Sequence, residues 1–305
     1  MGQSADFVYS NSLWASVANY LKLLRVTQWI KNLFVFVPLL FSKNLFNASY
    51  FLLVLLGFLA FCLTSSAVYV MNDLFDVESD RLHPQKRSRP IASGLISERS
   101  AFITILILAV GIFVLVYKLN VTFILALIGY IALNILYSVK LKQLVIIDIM
   151  SIAAGFMLRV LAGAYVISVY VSSWLILTTL FISLFLAIMK RRSELGLSHA
   201  EGSGSTRKVL SEYSVSFTEQ MASISAAGVI ICYALYSVSE KTISYLHSEN
   251  LVYTTIFVVF GIFRFMYLVY KKSKGENATE VMMTDVPMIV NIVLYVLTAI
   301  YIVYF

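Results

Sequence analysis

Residues 51–80 read FLLVLLGFLAFCLTSSAVYVMNDLFDVESD, and Arg81, Lys86, Arg87 and Arg89 follow at once. The first two thirds are an uncharged apolar run, and about 20 such residues cross a bilayer core as one helix. The last third, from Asn72 onward, is a knot of acids. On a continuing helix Asp73, Asp76 and Asp80 fall at i, i+3 and i+7, which places three carboxylates on one face. Asn72 borders that face and Glu78 points elsewhere. Stacked carboxylates repel one another unless a cation sits between them. Hard oxygen ligands in such a group suit Mg²⁺, which takes one or two carboxylates and completes its shell with water and substrate phosphate. Arg and Lys just downstream suit phosphate oxygens. The alternative is a solvated helix end whose acids pair with those cations and need no metal. The local chemistry reads as a Mg-diphosphate site at a membrane surface.

The rest of the chain agrees with a membrane setting. Of its 305 residues 60% are hydrophobic and 13% charged, whereas soluble domains carry nearer a quarter. Composition therefore excludes a soluble multi-domain protein and predicts a single integral membrane domain over residues 1–305. Nine apolar runs are long enough to span: 28–45, 50–71, 101–118, 121–138, 144–167, 173–190, 217–238, 251–270 and 286–304. The first is the weakest, since Trp29, Lys31 and Asn32 begin it and Pro38 interrupts it. Alternating the loops between two sides puts eighteen Lys and Arg on one side and Lys43, Lys118 and Lys241 on the other, with Arg159 and Arg264 inside spans. Positive residues favour the cytoplasmic side, so the N-terminus is expected there and the C-terminus outside. The net charge of +7 is then a one-sided basic face in contact with a lipid bilayer, and no interleaved motif suggests nucleic acid. No basic-then-apolar leader is visible at the start. Cys62 and Cys232 lie in separate apolar runs and read as buried small hydrophobes.

Long polar connections, including 72–100 and 191–216, fall on the expected cytoplasmic side, which marks them as the active-site face. Gly202-Ser203-Gly204-Ser205 within the second reads as a flexible patch. Each remaining polar group has a functional and a structural reading. Lys86, Arg87 and Arg89 are phosphate clamps or ordinary positive-inside residues. Arg25, Gln28, Trp29, Lys31 and Asn32 are a phosphate-binding approach to the first span or an interfacial anchor. Tyr137, Lys140 and Lys142 close the fourth run. Asp148 and Arg159 sit in the fifth, eleven residues apart on a shared face, roughly 16 Å by helical rise. Charges inside a span face a cavity or a partner, so these two line a site or form an ion pair with another helix. Lys190, Arg191 and Glu194 have helix salt-bridge spacing or join the site. His83, His199 and His247 lack metal-ligand spacing.

These residues carry a resemblance. Asn72-Asp73-x-x-Asp76-x-x-x-Asp80 after a span resembles the first aspartate-rich motif of the UbiA-type intramembrane prenyltransferase superfamily. Further matches are Arg25-x-x-Gln28-Trp29-x-Lys31-Asn32, Asp80-Arg81-x-His83-Pro84-x-Lys86-Arg87-x-Arg89-Pro90-Ile91-Ala92-x-Gly94 and Tyr137-Ser138-x-x-Leu141-Lys142. Gly155-Phe156-x-x-Arg159 and Lys190-Arg191-x-x-Glu194-Leu195 complete the set, which is similar to the decaprenyl-phosphate phosphoribosyltransferase branch. The resemblance implies a nine-helix bundle and transfer of 5-phosphoribose from phosphoribosyl diphosphate to a polyprenyl phosphate. It implies Mg²⁺ on Asp73, Asp76 and Asp80, beside Asn72. It also implies substrate binding by Arg25, Lys31, Lys86, Arg87, Arg89, Tyr137, Lys140, Lys142, Asp148, Arg159, Lys190, Arg191 and Glu194. A multi-pass cell-membrane protein is expected, with a homo-oligomer left open. One departure is notable: aromatic-substrate members carry a second aspartate-rich motif where this chain reads Lys190-Arg191-Arg192-Ser193-Glu194. A prenyltransferase moving an isoprenoid to an aromatic or polar acceptor is the nearest alternative, and a transporter of lipid or phosphate the more distant one.

Overall fold

Inside a bilayer an isolated apolar run must satisfy its backbone groups internally, so runs of this length fold as helices. The computed structural model describes residues 15–83, 86–201, 208–272 and 283–305, and no strand occurs among them. Pro84, Gly202, Ser203, Gly204, Ser205, Arg207 and Lys274, and the side chain of His199, lie outside the described residues. Among the described residues eight helices are long and apolar enough to cross a membrane. They are α3 (Ala48–Phe75), α5 (Glu98–Val116), α6 (Val121–Val139), α7 (Ile147–Val166), α8 (Ser173–Glu201), α9 (Val215–Val238), α11 (Thr255–Lys272) and α12 (Val286–Tyr304). Shorter helices among the described residues are α1 (Ala15–Leu23), α2 (Val37–Phe41), α4 (Val77–Leu82) and α10 (Glu240–Leu246). Capping fixes many of the starts. Asn47, Ser97, Asn120, Ser214, Ser239 and Asp285 each accept backbone N–H bonds of the first turn, which satisfies donors the helix leaves orphaned.

The predicted first span is a broken one. It starts earlier than residue 28, as α1, then bends by 47° into Val26–Phe41. The bend lies at Arg25, whose backbone is left-handed (φ 48, ψ 48), and eleven residues of 3-10 helix follow, Val26–Phe36. So long a 3-10 run is uncommon, and side-chain bonds from neighbouring helices hold it. Trp29 Nε1 donates to Ser66 Oγ at 3.0 Å, and Ser66 Oγ donates to Leu24 O at 2.7 Å. Pro38 falls in the first turn of α2, where its missing N–H costs nothing.

Helices in lipid associate through close van der Waals fit more than through burial, and α7 is built for that. Ala153, Ala162 and Ala164 on it have no exposure, and Gly163 brings the backbone of Val35 against it. Of the most apolar stretch of α7, 61% is buried, against 17% for α5 and for α12. The central helix is therefore also the one that carries two buried charges, Asp148 and Arg159.

Side-chain bonds tie the alternate helix ends together in the order the loops imply. Tyr137, Asp148, Arg191 and Tyr213 meet at one end. At the other end Lys43 Nζ donates to Leu246 O, and the Tyr304 hydroxyl accepts from Leu45 N. A cavity of about 140 Å³ opens at that second end, between Phe41, Tyr170, Tyr236, Lys241 and Tyr245. Two predicted boundaries move. The sixth span does not stop at 190: α8 continues to Glu201, into the segment predicted as loop. The 72–100 connection likewise contains α4 and a 3-10 turn, Lys86–Ser88.

Candidate active site

The acids of the opening motif do not ride one helix. α3 ends at Phe75, Asp76 occupies the junction (φ −94, ψ 6), and α4 sets off after it. Asp80 and Asp73, on either side of the junction, are both buried at 1% and 3% exposure. Arg89 bridges them: Nη1 donates to Asp73 Oδ1 at 3.0 Å and to Asp80 Oδ2 at 2.6 Å. Arg25 Nη2 adds a 2.6 Å bond to Asp73 Oδ1 while its guanidinium stacks 4.6 Å above the Tyr69 ring. Lys86 Nζ stands 3.9 Å from Asp80 Oδ1. The cation pairing weighed as the structural alternative is thus what the chain adopts. Buried carboxylates demand such partners, because desolvating an unpaired charge costs several kcal/mol.

Divalent-metal chemistry still fits these residues. Asp80 Oδ1 is buried without a hydrogen bond, and both hydrogen bonds to Asp73 fall on Oδ1 alone. Half-buried Asp76 has no ion pair among the described residues, and its donors, with Asn72, are hard oxygens of the kind Mg²⁺ takes. In this conformation no three acids converge closely enough to form a cage among the described residues.

A second cluster gathers where α6 ends and α7 begins, against the later part of α8. Arg191, with no exposure, spends its guanidinium on protein groups. Nε donates to Asp148 Oδ2 at 2.7 Å, Nη1 to Glu194 Oε2 at 2.6 Å and Nη2 to the Tyr137 hydroxyl at 3.2 Å. Tyr213 completes it, donating to Asp148 Oδ1 at 2.8 Å and accepting from Ile146 N at 2.7 Å. Burial, reinforced by the bond to Asp148, holds the Tyr213 phenol above its ordinary range, against the opposing effect of the Ile146 N–H. It therefore stays a donor. Arg191 is a buried hub that ties α6, α7 and α8 together. Lys190, half-exposed and 4.0 Å from Glu194, is the cation of this pair that faces outward.

Arg159 points into the bundle. Nε donates to Asn32 Oδ1 at 2.7 Å, Nη1 to Gly155 O at 2.8 Å and Nη2 to the Tyr130 hydroxyl at 2.9 Å. Asn32 in turn donates to Cys62 Sγ and Ser65 Oγ, both at 3.3 Å. Asp148 and Arg159, expected to share one face, therefore serve separate networks. Half-buried Lys31 lies within electrostatic reach of Arg25, Arg159 and Lys190. Arg87 and Lys140 are exposed and Lys142 half-buried. Tyr69 and Tyr130 give no local signal as uncharged tyrosines in apolar runs, and Tyr213, in the polar connection 191–216, has no charge or spacing that marks it.

An all-helical membrane bundle with its acids and cations drawn to one end is the build of an enzyme that works within a bilayer. The model of the UbiA prenyltransferase family matches residues 33–288. The chain belongs to that family, and it is a transferase. It is 36% identical over 228 residues to decaprenyl-phosphate phosphoribosyltransferase from Mycolicibacterium smegmatis, covering 73% of this chain and 71% of the relative. It is 33% identical to the enzyme of that name from Mycobacterium tuberculosis, covering 72% and 74%. In fold it is similar to a UbiA homolog from Archaeoglobus fulgidus bound to GPP and Mg²⁺, with a TM-score of 0.67 and 19% identity over 94% of this chain and all of that one.

Proposed function

We propose that the protein transfers 5-phosphoribose from 5-phosphoribosyl 1-diphosphate to a decaprenyl-like polyprenyl phosphate, releasing diphosphate. The observation that carries this reading is the second cluster. Where a second aspartate-rich motif would stand, the chain reads Lys190-Arg191-Arg192-Ser193-Glu194, one acid among three cations, and Arg191 bonds both Asp148 and Glu194, which supports a cationic phosphate surface over a second metal site. The named relatives support the same donor and acceptor.

Asp73, Asp76 and Asp80, with Asn72, hold Mg²⁺, which when bound neutralises charge on the diphosphate leaving group. Arg25, Lys86, Arg87 and Arg89 bind the diphosphate oxygens. Lys190 and Lys31, with Tyr137, Lys140 and Lys142 at the same end, form the cationic surface that takes the ribose 5-phosphate and the acceptor phosphate. Charge builds on the ribose as the bond to diphosphate breaks, so alignment and fixed charges supply most of the acceleration. The acceptor phosphate is anionic at neutral pH, so no side chain need act as base. The acceptor's polyprenyl tail runs into the bilayer. The segments 72–100 and 191–216 form the active-site face of one domain, and the Lys and Arg distribution supports a cytoplasmic position for it.

Purified protein in detergent would be given labelled phosphoribosyl diphosphate with polyprenyl phosphate, and separately a prenyl diphosphate with an aromatic acid. Label is expected in lipid only in the first mixture. Isoprenoid transfer without phosphoribose transfer would establish the prenyltransferase reading instead.

A further inference from the structure

The carboxylates that a divalent cation needs are already taken by two arginines. Arg89 holds Asp73 and Asp80 at 3.0 and 2.6 Å, and Arg25 holds Asp73 at 2.6 Å. Two acids and two guanidiniums leave this core formally neutral. Mg²⁺ gives up its water reluctantly and gains little from such a site. The arginines are equally suited to another partner, since their planar forks match phosphate as well as carboxylate. Neither is locked in a helix: Arg25 sits at the left-handed break after α1 and Arg89 directly follows a 3-10 turn. Asp80 Oδ1 is buried without a hydrogen bond, and the cation beside it, Lys86 Nζ, stands 3.9 Å away.

We propose that this site receives a metal–diphosphate complex as a unit and does not bind the free cation first. Arg25 and Arg89 pass from Asp73 and Asp80 to diphosphate oxygens as the cation takes the carboxylates, so each charge exchanges one partner for another. The arginines are thus placeholders that keep the acids paired between turnovers. This inference rests on the site residues of the proposed function, but not on which group is transferred.

Equilibrium dialysis of Mn²⁺ against the detergent-purified protein, with and without inorganic diphosphate, tests it. The wild type is expected to bind Mn²⁺ at least roughly tenfold more tightly when diphosphate is present, the scale of one charge-assisted contact. Arg89→Gln should bind Mn²⁺ alone more tightly than the wild type and bind diphosphate less tightly. Arg81→Gln, which removes the same charge from an exposed residue paired with Glu78 and Glu98, should behave as the wild type. Should Arg89→Gln not fold, Arg25→Gln is expected to shift in the same direction. Equal Mn²⁺ affinity with and without diphosphate, or an Arg89 variant no tighter than the Arg81 variant, would overturn the inference. Coupled binding of Mn²⁺ and diphosphate without phosphoribose transfer would sink the proposed function and leave this inference standing.

Discussion

Arg191 Nε donates to Asp148 Oδ2 at 2.7 Å, joining α8 to α7 across 43 positions of sequence with both side chains fully buried. Removing one member of such a pair strands the other charge, which typically costs ~3–5 kcal/mol. Asp148→Ala should therefore lower the unfolding midpoint in detergent sharply. Asp148→Leu combined with Arg191→Met should be more stable than either single variant, because no buried charge is left alone. A double variant weaker than both singles would show that the pair's value is not electrostatic.

Asp76 and Asp73 should part company. Asp73 is paired twice, so Asp73→Ala leaves Arg25 and Arg89 facing each other and should lose stability along with activity. Asp76 has no ion pair among the described residues, so Asp76→Ala should lose turnover with an unchanged unfolding midpoint. Chelation with EDTA should stop the wild type and added Mg²⁺ restore it. An active Asp76→Ala variant would remove that residue from the metal site.

What was legible followed from long-range regularities. Eight spans could be read directly because a bilayer leaves an apolar run of that length only one fold. The first was placed as the weakest, but its earlier start and its break were not legible, because a 3-10 run held by Trp29, Asn32 and Gly163 is decided by what lies against it, not by its own hydropathy. The motif acids were found as residues, and one Arg89 nitrogen that bonds both Asp73 and Asp80 sets those two on a common side. Helix periodicity says nothing of partners from beyond the helix, and a partner of Asp73 is an arginine sixteen residues away. Arg191 shows the same limit. Its spacing to Glu194 predicted one salt bridge, while its bonds to Asp148 and Tyr137 come from other helices.

Lys190 is the residue to test for donor recognition. Neutralising Arg191 would confound binding with folding, whereas Lys190 is exposed enough to change freely. Lys190→Gln should raise the KM for phosphoribosyl diphosphate roughly ten- to a hundred-fold, the scale of a lost charge-assisted phosphate contact of ~1.5–3 kcal/mol. The KM for polyprenyl phosphate should move far less. Equal changes in both would return Lys190 to a purely topological role.

Arg159 makes three bonds in three directions, to Asn32, Gly155 and Tyr130. A lysine keeps the charge but cannot reproduce that planar set. Arg159→Lys should impair turnover in a folded protein and Arg159→Leu should do so more severely. Tyr130→Phe, which removes one acceptor, should cost about 1 kcal/mol of stability. A fully active Arg159→Leu variant would show that this network serves neither the broken span nor the site.

Gly163 sets how closely the broken span approaches α7. A Cβ there would lie 2.0 Å from Val35 O and 2.8 Å from Val35 C. Both are backbone atoms, so no side-chain rotation relieves the clash. On helix propensity alone Gly→Ala should gain about 0.5–1 kcal/mol, and forced overpacking typically costs ~1–3 kcal/mol, so the net sign is destabilising. The effect should reach the site as well. Arg159 lies one turn before Gly163 on α7, and its 2.7 Å bond to Asn32 would stretch as the 3-10 run lifts, carrying Lys31 and Arg25 with it. Gly129→Ala is the matched control, since its Cβ would meet only Leu158 Cδ2 at 3.8 Å, an ordinary contact. Gly163→Ala should lower both the unfolding midpoint and kcat/KM, and Gly129→Ala neither. Equal behaviour of the two variants would mean that the seat of the broken span against α7 is not what orders the site.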